Sequence, residues 1–413
     1  MAQASVLQGI KSIEHFHLDD ARVFLRLDLN LPLDSSGRIT DETRLTAALP
    51  TISYALEKGA KLVLASHLGR PKTEADRSKL SMEVIAEALQ NRLGVDVFLV
   101  EDPASDTPKA LLAGLKSNHI ILLENLRFDS GEESNSREFA QHLADYTDIY
   151  INDAFGASHR QHASIHALPS LIEKKGIGLL MKKEIETLER IRNHPEKPFV
   201  AIMGGSKVSD KIAVLEKLLD SVDVLIVGGA MAYTFLVAKG ISVGASRVEK
   251  DRVQFAKEVI RRFETRGKQL LLPVDHMASS SFDSLSDLAL TTTPSIPEGR
   301  MGLDIGPKTI ELYRQALLQA KTVFWNGPMG VFEKPELSQG TFGVAQGIVD
   351  GDSFSVVGGG DSAAAAEASG FADRFSHIST GGGASLEFLE GTKLPGIEIL
   401  RPPKRSEDST EEL

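Results

Sequence analysis

Two parallel α/β sheets, each covered on both faces by helices and joined by one bridging helix, form the fold class that the sequence predicts. Three observations carry this. Short apolar or β-branched runs recur along almost the whole chain, each stopping at or within one residue of a Gly, Asn, Asp or His and followed by a segment of helical character. The runs are continuous rather than alternating, as strands of doubly covered parallel sheets are. One amphipathic helix with a strong breaker behind it splits the runs into two sets, and 413 residues suit two domains of ~100–200 residues each.

In chain order the predicted strands are 22–29 (RVFLRLDL), 61–65, 120–123, 148–151, 199–203, 222–227, 269–274, 322–325 and 353–357. Helical periodicity fits between them. Over 209–219, Ile212, Val214, Leu215, Leu218 and Leu219 make one apolar face. Met181, Ile185, Leu188 and Ile191, spaced by four, three and three, mark the bridging helix over 178–192, and Asn-His-Pro-Glu-Lys-Pro at 193–198 breaks it. The predicted division is a first domain over 1–177, a bridging helix and hinge over 178–197, a second domain over 198–395, and a C-terminal segment with a polar, aperiodic tail over 396–413.

Composition narrows the function classes. With 42% hydrophobic and 25% charged residues the chain is an ordinary globular one. Its 46 Lys+Arg against 57 Asp+Glu leave a formal charge of −11, which argues against general nucleic-acid binding while leaving room for a local anion site. The absence of cysteine removes disulfides, thiolate metal sites and thiol nucleophiles. The first twenty residues carry charges at Lys11, Glu14, Asp19 and Asp20 and show no long apolar run, and the longest uncharged stretch, 224–238, falls short of the ~20 apolar residues of a membrane span. A soluble, cytoplasmic protein without nucleic-acid or membrane partners is the expectation.

Ligands of open α/β sheets bind beyond the carboxyl ends of the strands, and the two halves differ there. In the first half these positions hold Asp28 and Asn30; His67 and Arg70; Arg127; and Asn152, Asp153, His159, Arg160 and His162. Nine of the eleven histidines fall within the first 194 residues. Arg and His gathered at strand ends in an acidic protein indicate a side-chain site for carboxylate or phosphate. In the second half the same positions hold Gly204-Gly205-Ser206-Lys207, Gly228-Gly229, Gly327-Pro328 and Gly358-Gly359-Gly360-Asp361. Glycines between strand and helix let backbone N–H groups approach phosphate oxygens, and an acidic residue there suits Mg²⁺, which takes carboxylates together with substrate phosphates.

Walker, GxGxxG, HRD and DFG motifs are absent. The stretch GGSKVSDK nevertheless joins a predicted strand to a helix through glycines, with Lys207 and Lys211 four apart on the first turns of that helix. A zinc reading of His159 and His162 lacks a third ligand, and these residues also suit a salt-bridged surface turn. An anion-binding half joined to a nucleotide-binding half makes phosphoryl transfer between two small molecules the economical chemistry, since it rests on positioning and charge neutralisation. The alternative is a nicotinamide-dependent dehydrogenase on a similar fold, against which the missing GxGxxG counts.

The strings RLDLNLPLD, SHLGRP, LLENLRF, NDAFGASHRQHAS, GGSKVSDK, WNGPMGVFE, GGGDS and STGGGA occur in the order and at the separations of the phosphoglycerate kinase family, and the chain resembles that family from about residue 20 to residue 400. The resemblance implies a glycolytic, Mg-dependent, monomeric enzyme with two Rossmann-like lobes and a hinge, which interconverts 1,3-bisphosphoglycerate plus ADP and 3-phosphoglycerate plus ATP. Carried over by motif, it implies that Asp28 and Asn30 hold the hydroxyl and carboxyl end of the glycerate, that His67, Arg70, Arg127 and Arg160 bind the 3-phosphate, and that Arg44 stands beside the transferring group. In the second lobe it implies Lys211 on the moving phosphoryl group with Lys207 nearby, Glu333 on the ribose, and Gly205, Gly228, Gly229, Asn326, Gly358, Gly359, Gly360, Asp361 and Ser362 around the nucleotide, with Asp361 at the metal. GASHR stands for the commoner GTAHR, GGAMA for GGGMA, and Ser362 for Thr. None of these removes a charged group. The PPKRSEDSTEEL ending extends beyond the usual one and has no assigned role.

Overall fold

The computed structural model describes residues 5–116 and 119–402. The chain divides into two compact units, Met1–Glu186 with Lys393–Leu413, and Thr187–Thr392.

In the first unit six strands form one sheet: β1 (Arg22–Leu27), β2 (Lys61–Ala65), β3 (Asp96–Val100), β4 (His119–Leu123), β5 (Ile149–Asp153) and β6 (Lys174–Ile177). Their order is β3-β4-β2-β1-β5-β6, and every pair is parallel. The inner strands are buried almost throughout, which explains their unbroken apolar reading. Val23, Leu25, Leu62, Leu64, Ile120 and Leu122 pack with Leu45, Ile52, Ile85 and Leu89 of two covering helices, Thr43–Glu57 and Glu83–Leu93. The chain starts in mid-sheet, works out to one edge, then returns to the other side of β1, so the direction of winding reverses between β1 and β5.

The predicted bridging helix is Leu179–Asn193, and the division between units falls within it. Its first turn has backbone N–H groups that no helical carbonyl can reach. Leu179 N donates to Thr51 Oγ1 at 3.0 Å and Met181 N to Asp153 Oδ1 at 2.9 Å. Thus a side chain from the helix Thr43–Glu57 and another from the end of β5 cap it. Met181, Ile185, Leu188 and Ile191 are all buried. Near the C-terminus, Gly396 N donates to Ser158 O at 2.9 Å, Asn152 Nδ2 donates to Gly396 O at 3.1 Å, and Arg401 donates to the carbonyls of Val6 and Gln8. The polar tail from 403 to 413 lies outside the described residues.

The second unit begins with β7 (Phe199–Met203), β8 (Val224–Val227) and β9 (Gln269–Leu271), continues through β10 (His276–Ser279), β11 (Ala289–Leu290) and β12 (Met301–Ile305), and ends with β13 (Thr322–Asn326), β14 (Phe354–Val357) and β15 (His377–Ile378). Six of these form a second parallel sheet in the order β15-β14-β13-β7-β8-β9, with the winding reversed between β7 and β13. Val200, Ile202, Trp325, Tyr313, Leu317, Val344 and Ile348 are among its buried core. The remaining three pair antiparallel as β11-β10-β12, an addition to the doubly wound plan.

Candidate active site

In the first unit the ends of β1, β2, β4 and β5 deliver one cluster. Arg44, on the first turn of the helix after β1, donates to the carbonyl of Asn30 at 3.0 Å and lies 3.5 Å from Asp28 Oδ1. Asn30 Oδ1 accepts from Gly69 N at 2.8 Å, and Arg127 donates to Gly69 O at 2.6 Å, so the loop after β2 is held from both sides. Asn125 steadies the same loop through Leu68. Arg160 Nε donates to His159 Nε2 at 3.2 Å. Arg70 is exposed at the end of the β2 loop.

His67 is buried in this cluster. Burial first, then the charges of Arg26, Arg127, Arg160 and Arg44, hold its imidazole well below the ordinary range, and the ring is neutral at pH 7. Burial and the charges of Arg127, Arg26 and Arg160 hold His162 at about 4. The structure therefore brings His67, Arg44, Arg127 and Arg160 within electrostatic reach of one another, and adds Arg26, which the sequence reading placed only inside a strand. Arg26 is 0% exposed, and β1 pairs it with Ala65 on one side and Asn152 on the other, next to the carboxyl ends of both neighbours. The available signal was an arginine inside the apolar run RVFLRLDL.

In the second unit a pocket of about 240 Å³ lies at the carboxyl ends of β7, β13 and β14, lined by Gly205, Ser206, Lys207, Asp210, Lys211, Asn326, Gly359, Gly360, Asp361 and Ser362 together with Gly382, Gly383 and Leu386. Two helices, Gly360–Ala368 and Gly383–Glu390, point their amino ends into this lining. With two lysines they give a site for negative charge. The pocket is smaller than the ~300–1,000 Å³ of whole small-molecule sites. Burial lowers the Lys211 ammonium pKa, while Asp210 and Asp361 oppose the shift. Asn326 Nδ2 donates to Gly358 O and Gly327 N to Ser362 Oγ at 2.6 Å, but Asn326 Oδ1 is buried without a hydrogen-bond partner. Asp361 gives the lining an exposed carboxylate at the first turn of its helix. Among the described residues no group of three or more His, Asp or Glu could hold a metal ion, which leaves the His159 and His162 pair without a third ligand. One carboxylate beside a phosphate pocket does fit Mg²⁺, which keeps water and takes substrate oxygens rather than an all-protein cage.

Lys207 departs from the expected place. It lies in the loop before the helix, and Lys211 ends a short 3₁₀ turn, Ser209–Lys211, before the helix Ile212–Leu218. Glu249 anchors this entry: its carboxylate accepts from Val208 N, from Ser209 N at 3.2 Å and from Ser209 Oγ at 2.6 Å, and so fixes the start of the 3₁₀ turn beyond Lys207. Gly228, Gly229 and Gly358 are not part of the pocket lining. Gly229, at φ +63°, donates to Met329 O, and a β-carbon there would meet the backbone of Gly205 at 2.5 Å. A β-carbon on Gly358 would press on the Phe324 ring at 2.9 Å. These glycines let the loops approach each other. Glu333 is exposed and outside the lining. Gly382 and Gly383 belong to STGGGA, the string that carried no site expectation.

The sequence profile of the family described as "Phosphoglycerate kinase" matches residues 13–392. The chain belongs to the phosphoglycerate kinase family. It is 58% identical over 398 residues to the phosphoglycerate kinase of Bdellovibrio bacteriovorus, covering 96% of this chain and 99% of that one. It is 50% identical over 391 residues to that of Anaeromyxobacter dehalogenans, covering 94% and 99%. Among solved structures, phosphoglycerate kinase from Coxiella burnetii superimposes with a TM-score of 0.84 at 38% identity, covering 95% of this chain and 98% of that one. The kinase from Pyrococcus horikoshii gives 0.83 at 34%, covering 94% and 98%. As a phosphoglycerate kinase family member the chain is a transferase with a carboxyl group as acceptor, which displaces the dehydrogenase alternative. No helix among the described residues is long and apolar enough to cross a membrane.

Proposed function

We propose that this chain catalyses reversible, Mg-dependent phosphoryl transfer from 1,3-bisphosphoglycerate to ADP, giving 3-phosphoglycerate and ATP, in glycolysis. The observation that carries the reading is the division of chemistry: an Arg/His cluster at the strand ends of one unit, and a glycine-lined, lysine-bearing phosphate pocket at the strand ends of the other. In this reading Asp28 and Asn30 hold the hydroxyl and carboxyl end of the glycerate, and His67, Arg70, Arg127 and Arg160 its 3-phosphate. Gly205, Asn326, Gly359, Gly360 and Ser362 surround the nucleotide phosphates, Gly228, Gly229 and Gly358 shape the loops behind them, and Glu333 takes the ribose.

ADP attacks the acyl phosphate in line, and charge spreads over three equatorial oxygens. Arg44, Lys207 and Lys211 neutralise that charge, with Lys211 following the moving group. Asp361 would hold Mg²⁺ together with substrate phosphates, and the ion's chemistry there is to neutralise and orient phosphate oxygens. With one ligand on each lobe, direct transfer requires reacting atoms ~3–3.5 Å apart, so residues 178–197 serve as a hinge that lets domains 1–177 and 198–395 close when both ligands are bound. The working protein is a cytoplasmic monomer.

A coupled assay tests the function. Purified chain with 1,3-bisphosphoglycerate, ADP and Mg²⁺ should form ATP, detected through hexokinase and glucose-6-phosphate dehydrogenase. No ATP above the uncatalysed rate would refute the reading.

A further inference from the structure

Beneath the anion cluster lies a buried polar chain that the proposed transfer chemistry leaves unused. Glu132 is 0% exposed. Its Oε2 accepts from Ser164 N at 2.9 Å and its Oε1 from Ser164 Oγ at 2.7 Å. Tyr150 OH donates to Ser164 O at 2.7 Å and fixes the residue from its other side. A hydroxyl has one proton. Ser164 directs that proton to Glu132, so it offers Arg26 only a lone pair, and Arg26 Nε donates there at 2.8 Å. Arg26 Nη1 donates to the carbonyl of Leu27, and Nη2 stands 3.4 Å from His67 Nδ1 and 4.0 Å from Glu132 Oε1. A guanidinium has no acceptor, so His67 Nδ1 must be the acceptor and the ring proton sits on Nε2.

The carboxylate takes the Ser164 proton and the guanidinium can only donate, so every bond in this chain has a single direction and Arg26 is held on the Ser164 lone pair. We propose that Glu132 and Ser164 are positioning residues which, through Arg26, fix His67 as the neutral Nε2–H tautomer and so give the anion site a hydrogen-bond donor. The tautomer matters because a phosphate dianion accepts hydrogen bonds only, and a ring presenting a bare Nε2 lone pair would repel it. Glu132 also offsets the charge of Arg26, an arginine that could not otherwise be buried within a strand at tolerable cost. The other charged or titratable groups facing this network are Arg44, Arg127, Arg160 and His162, the last with Nδ1 3.8 Å from Glu132 Oε1.

The inference rests on the reading of this cluster as the phosphate site of 3-phosphoglycerate, and its test separates the two. Long-range ¹H–¹⁵N correlation on the ¹⁵N-labelled full chain at pH 7, with His67 assigned by loss of its signals in His67→Asn, reads the tautomer without substrate. The expected result is a pyridine-type Nδ1 and a pyrrole-type Nε2. In Ser164→Ala the lone pair is gone. In Glu132→Gln an amide NH₂ replaces one acceptor and frees the Ser164 proton to oppose Arg26. Both variants should show a mixed tautomer and roughly three- to tenfold weaker 3-phosphoglycerate binding by calorimetry, with nucleotide binding unchanged. Ser164→Thr keeps the hydroxyl and should retain both properties. A wild-type His67 protonated on Nδ1, or variants that keep the wild-type tautomer, would overturn the proposal. The Nε2–H tautomer in a wild-type chain that fails to bind 3-phosphoglycerate would support the positioning and refute the substrate.

Discussion

The amide of Gly205 donates to the carbonyl of Pro328 at 2.9 Å, and a β-carbon on the adjacent Gly204 would stand 2.2 Å from that same oxygen. The loops after β7 and β13 are therefore stitched backbone to backbone beside the glycine-lined pocket. Gly204→Ala forces one of them outward and should cost about 1–3 kcal/mol of stability by overpacking. Gly360→Ala faces open space within 4 Å and should leave stability unchanged. Urea unfolding of the two variants checks this, and equal losses would show that loop contact is not what Gly204 provides.

Arg44→Ala should lower turnover at least ~10²-fold while weakening 3-phosphoglycerate binding far less, because its charge acts mainly on the transition state. Its ground-state contacts, the Asn30 carbonyl and Asp28, are in the protein itself. Steady-state kinetics beside calorimetry decides the matter. Matching losses in kcat and in affinity would make it a plain substrate clamp.

Asp361→Asn should weaken Mg-nucleotide binding and leave 3-phosphoglycerate binding nearly intact. The carboxylate lines the glycine- and lysine-lined pocket, in the unit that lacks the arginine cluster. Calorimetry with each ligand separately is the check, and equal weakening of both would contradict the division of labour.

Asp153, which caps the helix Leu179–Asn193, is raised to about 7, first by burial and further by Glu184, against the hydrogen bonds from Thr51 and from Met181 and Leu180. Above pH 3.8 the unfolded carboxyl has lost its proton, while the folded one keeps it until about pH 7. The folded state then binds more protons, so this group's contribution to stability falls as pH rises through that window, by at most about 1.4 kcal/mol per pH unit. Asp153→Asn keeps the acceptor for Met181 N and removes the titration. Its stability relative to wild type should rise steadily from pH 4.5 to 7 and level off above, measured by urea midpoints. A difference independent of pH would contradict the assignment.

The inner strands were legible because burial on both faces leaves nothing but apolar residues in runs such as FVAIM and VLIV. The edges were not. In β3, DVFLV alternates between exposed and half-buried before its last residue, and β6 is KKGI. Of the antiparallel strands, His276–Ser279 is too polar and Ala289–Leu290 too short to register as an apolar run. At the sites, residues that follow a strand directly were found by position alone. Arg26 escaped because its partner Ser164 is distant in sequence, and a buried arginine in a strand reads as a surface one until its partners are known. Lys207 was misplaced for a similar reason: the turn at 209–211 is anchored by Glu249, which is remote in sequence. Gly382 and Gly383 lacked a long apolar run ahead of them, since β15 is only His377–Ile378.

The central claim is direct transfer between a ligand of one unit and a ligand of the other, and ³¹P NMR observes it without coupling enzymes. Purified chain is mixed with 3-phosphoglycerate, ATP and Mg²⁺ and followed to equilibrium, with the β-phosphate of ADP and the acyl phosphate as reporters. The account predicts that ADP and acyl-phosphate signals grow in equal amounts with no early inorganic phosphate, and that omitting either substrate abolishes the change. ATP loss matched by inorganic phosphate and independent of 3-phosphoglycerate would contradict it.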